Sequence, residues 1–238
     1  MFSELGKFAL EEAKKRGVDY VDVRVGEIAD EVLTIKNGAP EEIKFLQTRG
    51  FGVRVIVDGA WGFASSVDLD KKEAIEVVER AISIAKASAM LKKMPVRLSK
   101  EEIRQDRYET PIKEDPFKIP MEEKLEILFE AERLLAEQSP LIKASYSYYR
   151  GYREKKFFVN SEGTEISQTI TWCGGGLRAI AVKNGEMQVR SYPASFRGDF
   201  ATAGYEFFES LKLVENAGNV GQELIKLFEA EKCPSTTT

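Results

Sequence analysis

Three Asx-Gly dipeptides constrain this chain more than any other feature. Asn37-Gly38, Asp58-Gly59 and Asn184-Gly185 each sit between runs of alternating apolar and polar residues. Asparagine, aspartate and glycine tolerate positive φ, which the central residues of a tight hairpin turn require. Each dipeptide therefore joins two antiparallel strands and sets their register. A fold with hairpins this close together is rich in antiparallel sheet.

The rest of the chain fits helices around those hairpins. Phe2, Leu5, Phe8 and Ala9 repeat at helical spacing, and Gly17 stops the helix. Val21, Val23 and Val25 mark a strand, and a second covers about Glu31 to Lys36. A third, with Ile43 and Phe45 on one face, returns to Arg49, and a hairpin pairs residues 53–57 with 60–64. Asp70, with Glu73 three residues on, caps a helix that runs to about Ser88. Pro95, Pro111 and Pro116 mark a charged surface connector, with a short helix near Lys100–Arg104. Pro120 then opens a helix that ends by Pro140. Strands follow at 142–148, around Phe157 and Val159, at 166–172, at 177–182 and through Met187 and Val189. Two helical segments close the chain. The expected class is α+β: two successive helix–antiparallel strands–helix units, with sheets partly covered by helices. The boundaries are 1–90 for the first unit, 91–119 for the connector, 120–232 for the second unit and 233–238 for a linker. The turns at 37–38 and 184–185 occupy comparable places, as in an internal structural repeat.

Composition narrows the chemistry. The 238 residues contain no histidine. Ser-His-Asp and Cys-His triads and HExxH zinc sites are therefore excluded within this chain. Catalysis here would rest on carboxylates, lysines, tyrosines or the two thiols. The net charge of −4 argues against nucleic acid as a partner, since phosphate binding needs a basic face. Cys173 and Cys233 are far apart and form no CxxC, as in a reduced cytosolic protein. No apolar run is long enough to span a bilayer, and residues 1–17 lack the apolar core of a signal peptide. The expected location is cytoplasmic, with no membrane partner.

Each candidate site has a plain reading beside it. Gly174-Gly175-Gly176 lacks the Gly-Lys-Ser/Thr of a phosphate loop and lies between strands, so it reads as a bulge or a close approach of backbones. Gly50-x-Gly52 lacks the third glycine of a dinucleotide fingerprint. Glu41-Glu42 and Glu122-Glu123 read as solvated acids rather than acid–base pairs. Cys173 reads as a buried, inert thiol unless Arg178 lies close in space. Tyr146, Tyr148, Arg150 and Tyr152 fall on one face of a strand, with Tyr149 and Arg153 on the other. That face reads equally as tyrosine packing at a wet sheet surface or as a peptide- or partner-binding surface. Trp61, at the end of the Asp58-Gly59 hairpin, has the same two readings. No catalytic, cofactor-binding or metal-ligating residue is assigned.

The segment from Gly52 to Ser65, GVRVIVDGAWGFAS, resembles the hallmark of the TldD/PmbA family, once described as modulators of DNA gyrase. Asp19–Arg24, Arg80–Ala85, Ser161-Glu162-Gly163, Arg190–Pro193 and Gly204–Phe207 match the same pattern in order, over nearly the whole chain. Gly59-Ala60-Trp61-Gly62 is similar to the TldD branch more than to the PmbA branch. The resemblance implies a zinc-dependent peptidase whose HExxxH-type helix lies in a C-terminal domain. None of that motif can be placed on this chain. The resemblance implies that the chain is the non-catalytic N-terminal region of such an enzyme, a fragment with zinc held elsewhere. That region would shape the cleft for unfolded or flexible peptides and pair with a PmbA-type subunit or a second copy of itself. The alternative is a stand-alone peptide- or protein-binding module without peptidase activity.

Overall fold

The computed structural model describes residues 1–196 and 198–231. Cys233 and the expected linker at 233–238 lie outside the described residues. The elements run α1 (Phe2–Lys15), β1 (Tyr20–Lys36), β2 (Ala39–Val57), β3 (Ala60–Ser66), α2 (Lys71–Ala89), β4 (Gln105–Glu109), α3 (Met121–Ala136), β5 (Ile142–Asn160), β6 (Glu165–Lys183), β7 (Glu186–Tyr192), β8 (Asp199–Ala201), α4 (Tyr205–Ser210) and α5 (Leu213–Lys226). The class is α+β, as expected. All three Asx-Gly turns form: Asn37, Asp58 and Asn184 have φ of 49°, 50° and 51°, and each following glycine is also positive.

Two compact units emerge, each drawn from three stretches of chain. Unit 1 holds Met1–Ala29, Gln47–Glu109 and Arg153–Ile170. Unit 2 holds Asp30–Leu46, Thr110–Tyr152 and Thr171 onward. The sequence reading divides the chain at 90 and 120 instead. The difference arises because β1, β2, β5 and β6 each give one end to either unit.

In unit 1 the strand order is β3-β2-β1-β5-β6-β4. Val21, Val23 and Val25 alternate inward from β1, and Val53, Val55 and Val57 from β2. Burying each valine contributes about 1.5–3 kcal/mol. Leu5, Ala9 and Ala13 of α1 and Ala74, Val77, Val78, Ala81 and Ala85 of α2 complete this core. Asp70 Oδ1 accepts from Glu73 N at 2.8 Å, which fixes the start of α2 as the capping pattern predicts. β3 pairs antiparallel with β2, from Phe51↔Ser66 to Val57↔Ala60. A Cβ on Gly62 would lie 2.0 Å from the Ala81 carbonyl oxygen, so this glycine lets α2 sit directly on β3. The Ser161-Glu162-Gly163 turn is tied to β1. Ser161 N donates to Val21 O at 2.8 Å, and Val21 N donates to Ser161 Oγ at 3.1 Å.

In unit 2, β2, β1, β5 and β6 are neighbours in that order, and β7 and β8 both pair antiparallel with β6. Leu128, Ala131 and Leu135 of α3 pack with Ala217, Val220 and Leu224 of α5. Tyr149, Cys173, Leu177, Tyr205 and Phe208 join the same core. The three-glycine run is a close approach of backbones, as its strand context implies. A Cβ on Gly174 would lie 2.0 Å from Asp199 O, and one on Gly175 would lie 2.2 Å from Tyr148 O.

Two expectations fail. Residues 100–104 are not helical, and 105–109 form β4, which pairs parallel with β6, from Gln105↔Glu165 to Glu109↔Thr169. Its residues are all exposed and charged or polar, so hydrophobic periodicity carries no signal there. The expected short strands also merge. Residues 21–25 and 31–36 are one strand, as are 43–49 with 53–57, 142–148 with 157–159, and 166–172 with 177–182. Gly50, Gly52 and the glycines at 174–176, read between separate strands, lie within them.

Candidate functional site

The tyrosine face forms as its alternation predicts. On β5, Ser145, Ser147, Tyr149 and Gly151 are buried, while Tyr146, Tyr148, Arg150 and Tyr152 are half-buried on the opposite face. Tyr148 and Arg150 line a hollow of about 680 Å³ within unit 2, together with Val32, Thr34, Glu42, Trp172 and Phe200. Arg150 is held by two parallel bonds: Nε donates to Asp30 Oδ1 at 2.8 Å and Nη2 to Oδ2 at 3.0 Å. Paired geometry of this kind fixes the plane of a guanidinium. The hydrogen bonds to Asp30 hold Arg150 more firmly protonated than a free arginine. The same guanidinium lies 5.2 Å from the centroid of the Trp172 ring. Tyr152 stacks on Trp172 at 5.0 Å and 17°, and Phe200 meets it edge-on at 5.7 Å. The result is a wall of flat apolar rings with one oriented cation and acids at its rim, suited to an extended polypeptide.

Asp30, Trp172, Phe200 and Glu42 were absent from the sequence-based site. They come from β1, β6, β8 and β2, and nothing in the local pattern of β5 points to them. Trp172 shows the one available signal, an aromatic side chain on the strand that leads into the glycine run.

Trp61 belongs to unit 1. Its ring meets Tyr20 edge-on at 6.0 Å and lies under the Arg54 guanidinium at 4.5 Å. Arg54 in turn binds the buried Asp22 carboxylate, through Nε and Nη2 at 2.7 Å each. Unit 1 also has a hollow of about 770 Å³ lined by Asp22, Gly50, Gly52 and Phe63. Its buried carboxylate is already committed to Arg54.

Cys173 is buried, and burial pushes its thiol up to about 11. Its Sγ donates to Gly204 O at 2.9 Å, so it is a protonated core thiol and not a nucleophile. Among the described residues no group of three or more His, Cys, Asp or Glu side chains is placed to hold a metal ion. The described residues therefore offer no ligand set for the zinc that the family resemblance implies. No helix of the described residues is long and apolar enough to cross a membrane.

Residues 21–85 match PmbA/TldA metallopeptidase domain 1, and residues 114–227 match the PmbA/TldA metallopeptidase central domain. A metalloprotease of Methanocaldococcus jannaschii is 30% identical over 221 residues, which are 91% of this chain and 46% of that protein. A metalloprotease of Methanothermobacter thermautotrophicus is 25% identical, over 92% of this chain and 45% of that protein. The chain thus spans about half the length of the curated relatives it matches. Among solved structures, a modulator of a DNA gyrase from Thermotoga maritima superposes with a TM-score of 0.75 at 21% identity, covering 99% of this chain and 50% of its own. TldE from Thermococcus kodakarensis superposes with a TM-score of 0.60 at 16% identity, covering 92% and 47%. The matched domains, their order and the relatives agree: this chain belongs to the PmbA/TldD metallopeptidase family, with segments of its first and central domains.

Proposed function

We propose that this chain is the non-catalytic N-terminal region of a zinc metallopeptidase, and that it receives unfolded or flexible peptides and contributes to subunit pairing. Zinc and the residues that cleave the peptide belong to a part of the enzyme outside this chain. The ring-walled hollow of unit 2 carries the proposal. Glu41 and Glu42 of β2 line it, and residues 39–46 of that strand have no strand partner on their outer side among the described residues, because β3 pairs with 51–57. An extended peptide added there gains main-chain hydrogen bonds whatever its sequence, while Trp172 and Phe200 accept its side chains. Pairing is supported by Ile43 and Phe45, which share a face of the same strand and are 48% and 56% exposed.

Amide hydrogen exchange tests the peptide reading. On adding an unfolded polypeptide, amides in 39–46 slow and those of β7 do not. Unchanged rates at 39–46 sink it. For pairing, sedimentation of the chain alone and with a PmbA-type subunit yields a dimer in at least one case, and Phe45→Glu weakens it. Monomers throughout refute that part.

A further inference from the structure

A second, smaller hollow of about 370 Å³ shares Tyr148 with the first and is lined by Tyr146, Arg178, Val189, Ser191 and Ser195. Its polarity differs. The lining of the first hollow includes Glu41 and Glu42, and its arginine is neutralised by Asp30. Among the described residues the lining of the second has one charged group, Arg178, and no carboxylate. Among the described residues Arg178 has no ion pair, and its guanidinium lies 6.0 Å from the centroid of the Tyr146 ring. Arg178 and Ser191 are directly opposed in the β6–β7 ladder, so both side chains leave the same face of the sheet. A cation over a tyrosine ring, with hydroxyl groups nearby and no acid to neutralise it, suits a planar anion.

We infer that Arg178 forms a carboxylate subsite beside the ring-walled hollow, which receives a carboxylate of the bound peptide. The inference rests on the peptide-binding reading and adds a polarity to it. The carboxylate comes either from the peptide's C-terminus or from an Asp or Glu side chain, and both present the same two oxygens to a guanidinium fork. Arg178 is exposed, so the contribution is modest, about three- to fivefold in affinity.

Three labelled decapeptides of neutral sequence distinguish the outcomes, titrated onto the full chain by fluorescence anisotropy. One has a free C-terminal acid, one a C-terminal amide, and one the amide with a single internal glutamate. A free acid that binds about three- to fivefold tighter than the amide, with the difference lost in Arg178→Gln, supports a terminal carboxylate. An internal glutamate that restores the affinity, again only with Arg178 present, supports a side-chain carboxylate. Arg178→Lys keeps the charge but loses the fork and retains only part of either preference. Equal binding of all three peptides overturns the inference and leaves the peptide reading standing. A preference that persists in Arg178→Gln also overturns it, because the carboxylate is then bound elsewhere. Failure of every peptide to bind removes the peptide reading and this inference together.

Discussion

The two units bury different kinds of side chain. Unit 1 has a core of valine, alanine, leucine, isoleucine and phenylalanine, and its buried Asp22 is answered by Arg54. Unit 2 holds Lys124 and Glu31 as a buried ion pair at 2.5 Å, with Lys124 Nζ also donating to Pro116 O at 2.7 Å. Glu132 is buried there too, and its carboxylate accepts from Gly38 N and Ser145 Oγ. The hydroxyls of Tyr149 and Tyr205 are buried with no hydrogen-bond partner among the described residues. Burial raises both phenols above their ordinary range. A core of small apolar groups tolerates many exchanges of similar volume. A buried ion pair such as Lys124–Glu31 does not, because removing one member leaves the other stranded. The comparison places structural fragility in the unit that also has the ring-walled hollow.

The largest effect follows from that contrast. Lys124→Met strands Glu31 and lowers stability by about 3–5 kcal/mol in chemical denaturation, and adding Glu31→Leu recovers much of the loss. Equal stability of Lys124→Met and the parent would show that unit 2 is no more fragile than unit 1.

Gly62→Ala is the corresponding test in unit 1. The added methyl meets the Ala81 backbone, and the expected cost is about 3 kcal/mol. A neutral result would mean that α2 shifts freely on β3.

Glu206→Gln gives a smaller and pH-dependent effect in unit 2. Burial opposes ionisation of Glu206, but backbone N–H groups of Lys113, Glu114 and Gly204 donate to its carboxylate at 3.0–3.1 Å and outweigh it. The carboxyl is therefore held below its ordinary value of 4.5. Its contribution is complete above that value and is lost as pH falls through the lower folded value. At neutral pH the substitution costs about 1–2 kcal/mol, and the gap closes in acid. A gap unchanged down to strongly acidic pH would assign the loss to shape instead of charge.

Tyr149→Phe is the smallest and has the opposite sign. It removes a hydroxyl that makes no hydrogen bond among the described residues, so stability stays level or rises by about 0.5–1 kcal/mol. A loss above about 1 kcal/mol would show that the hydroxyl has a partner in solution.

Much of this was legible in the sequence, for reasons that also mark where it stopped. The Asx-Gly turns and the Asp70 cap are local, so a few residues suffice to specify them. The alternation from Tyr146 to Tyr152 correctly separated Tyr149 from the exposed face. Strand length was misread at the 174–176 run, because its glycines admit a neighbouring backbone or ring rather than a turn. The partners of Arg150 were invisible for a different reason. Asp30, Trp172 and Phe200 meet it only through strand order, and one sequence does not state which strands are neighbours.

The passage of β1, β2, β5 and β6 through both units has a consequence for how such a protein is inherited. Neither unit corresponds to an unbroken stretch of gene. A cut in the connector between residues 91 and 119 leaves the first fragment without 153–170 and the second without 30–46. Recombination therefore cannot exchange one unit between relatives and leave the other intact. The two are transmitted together.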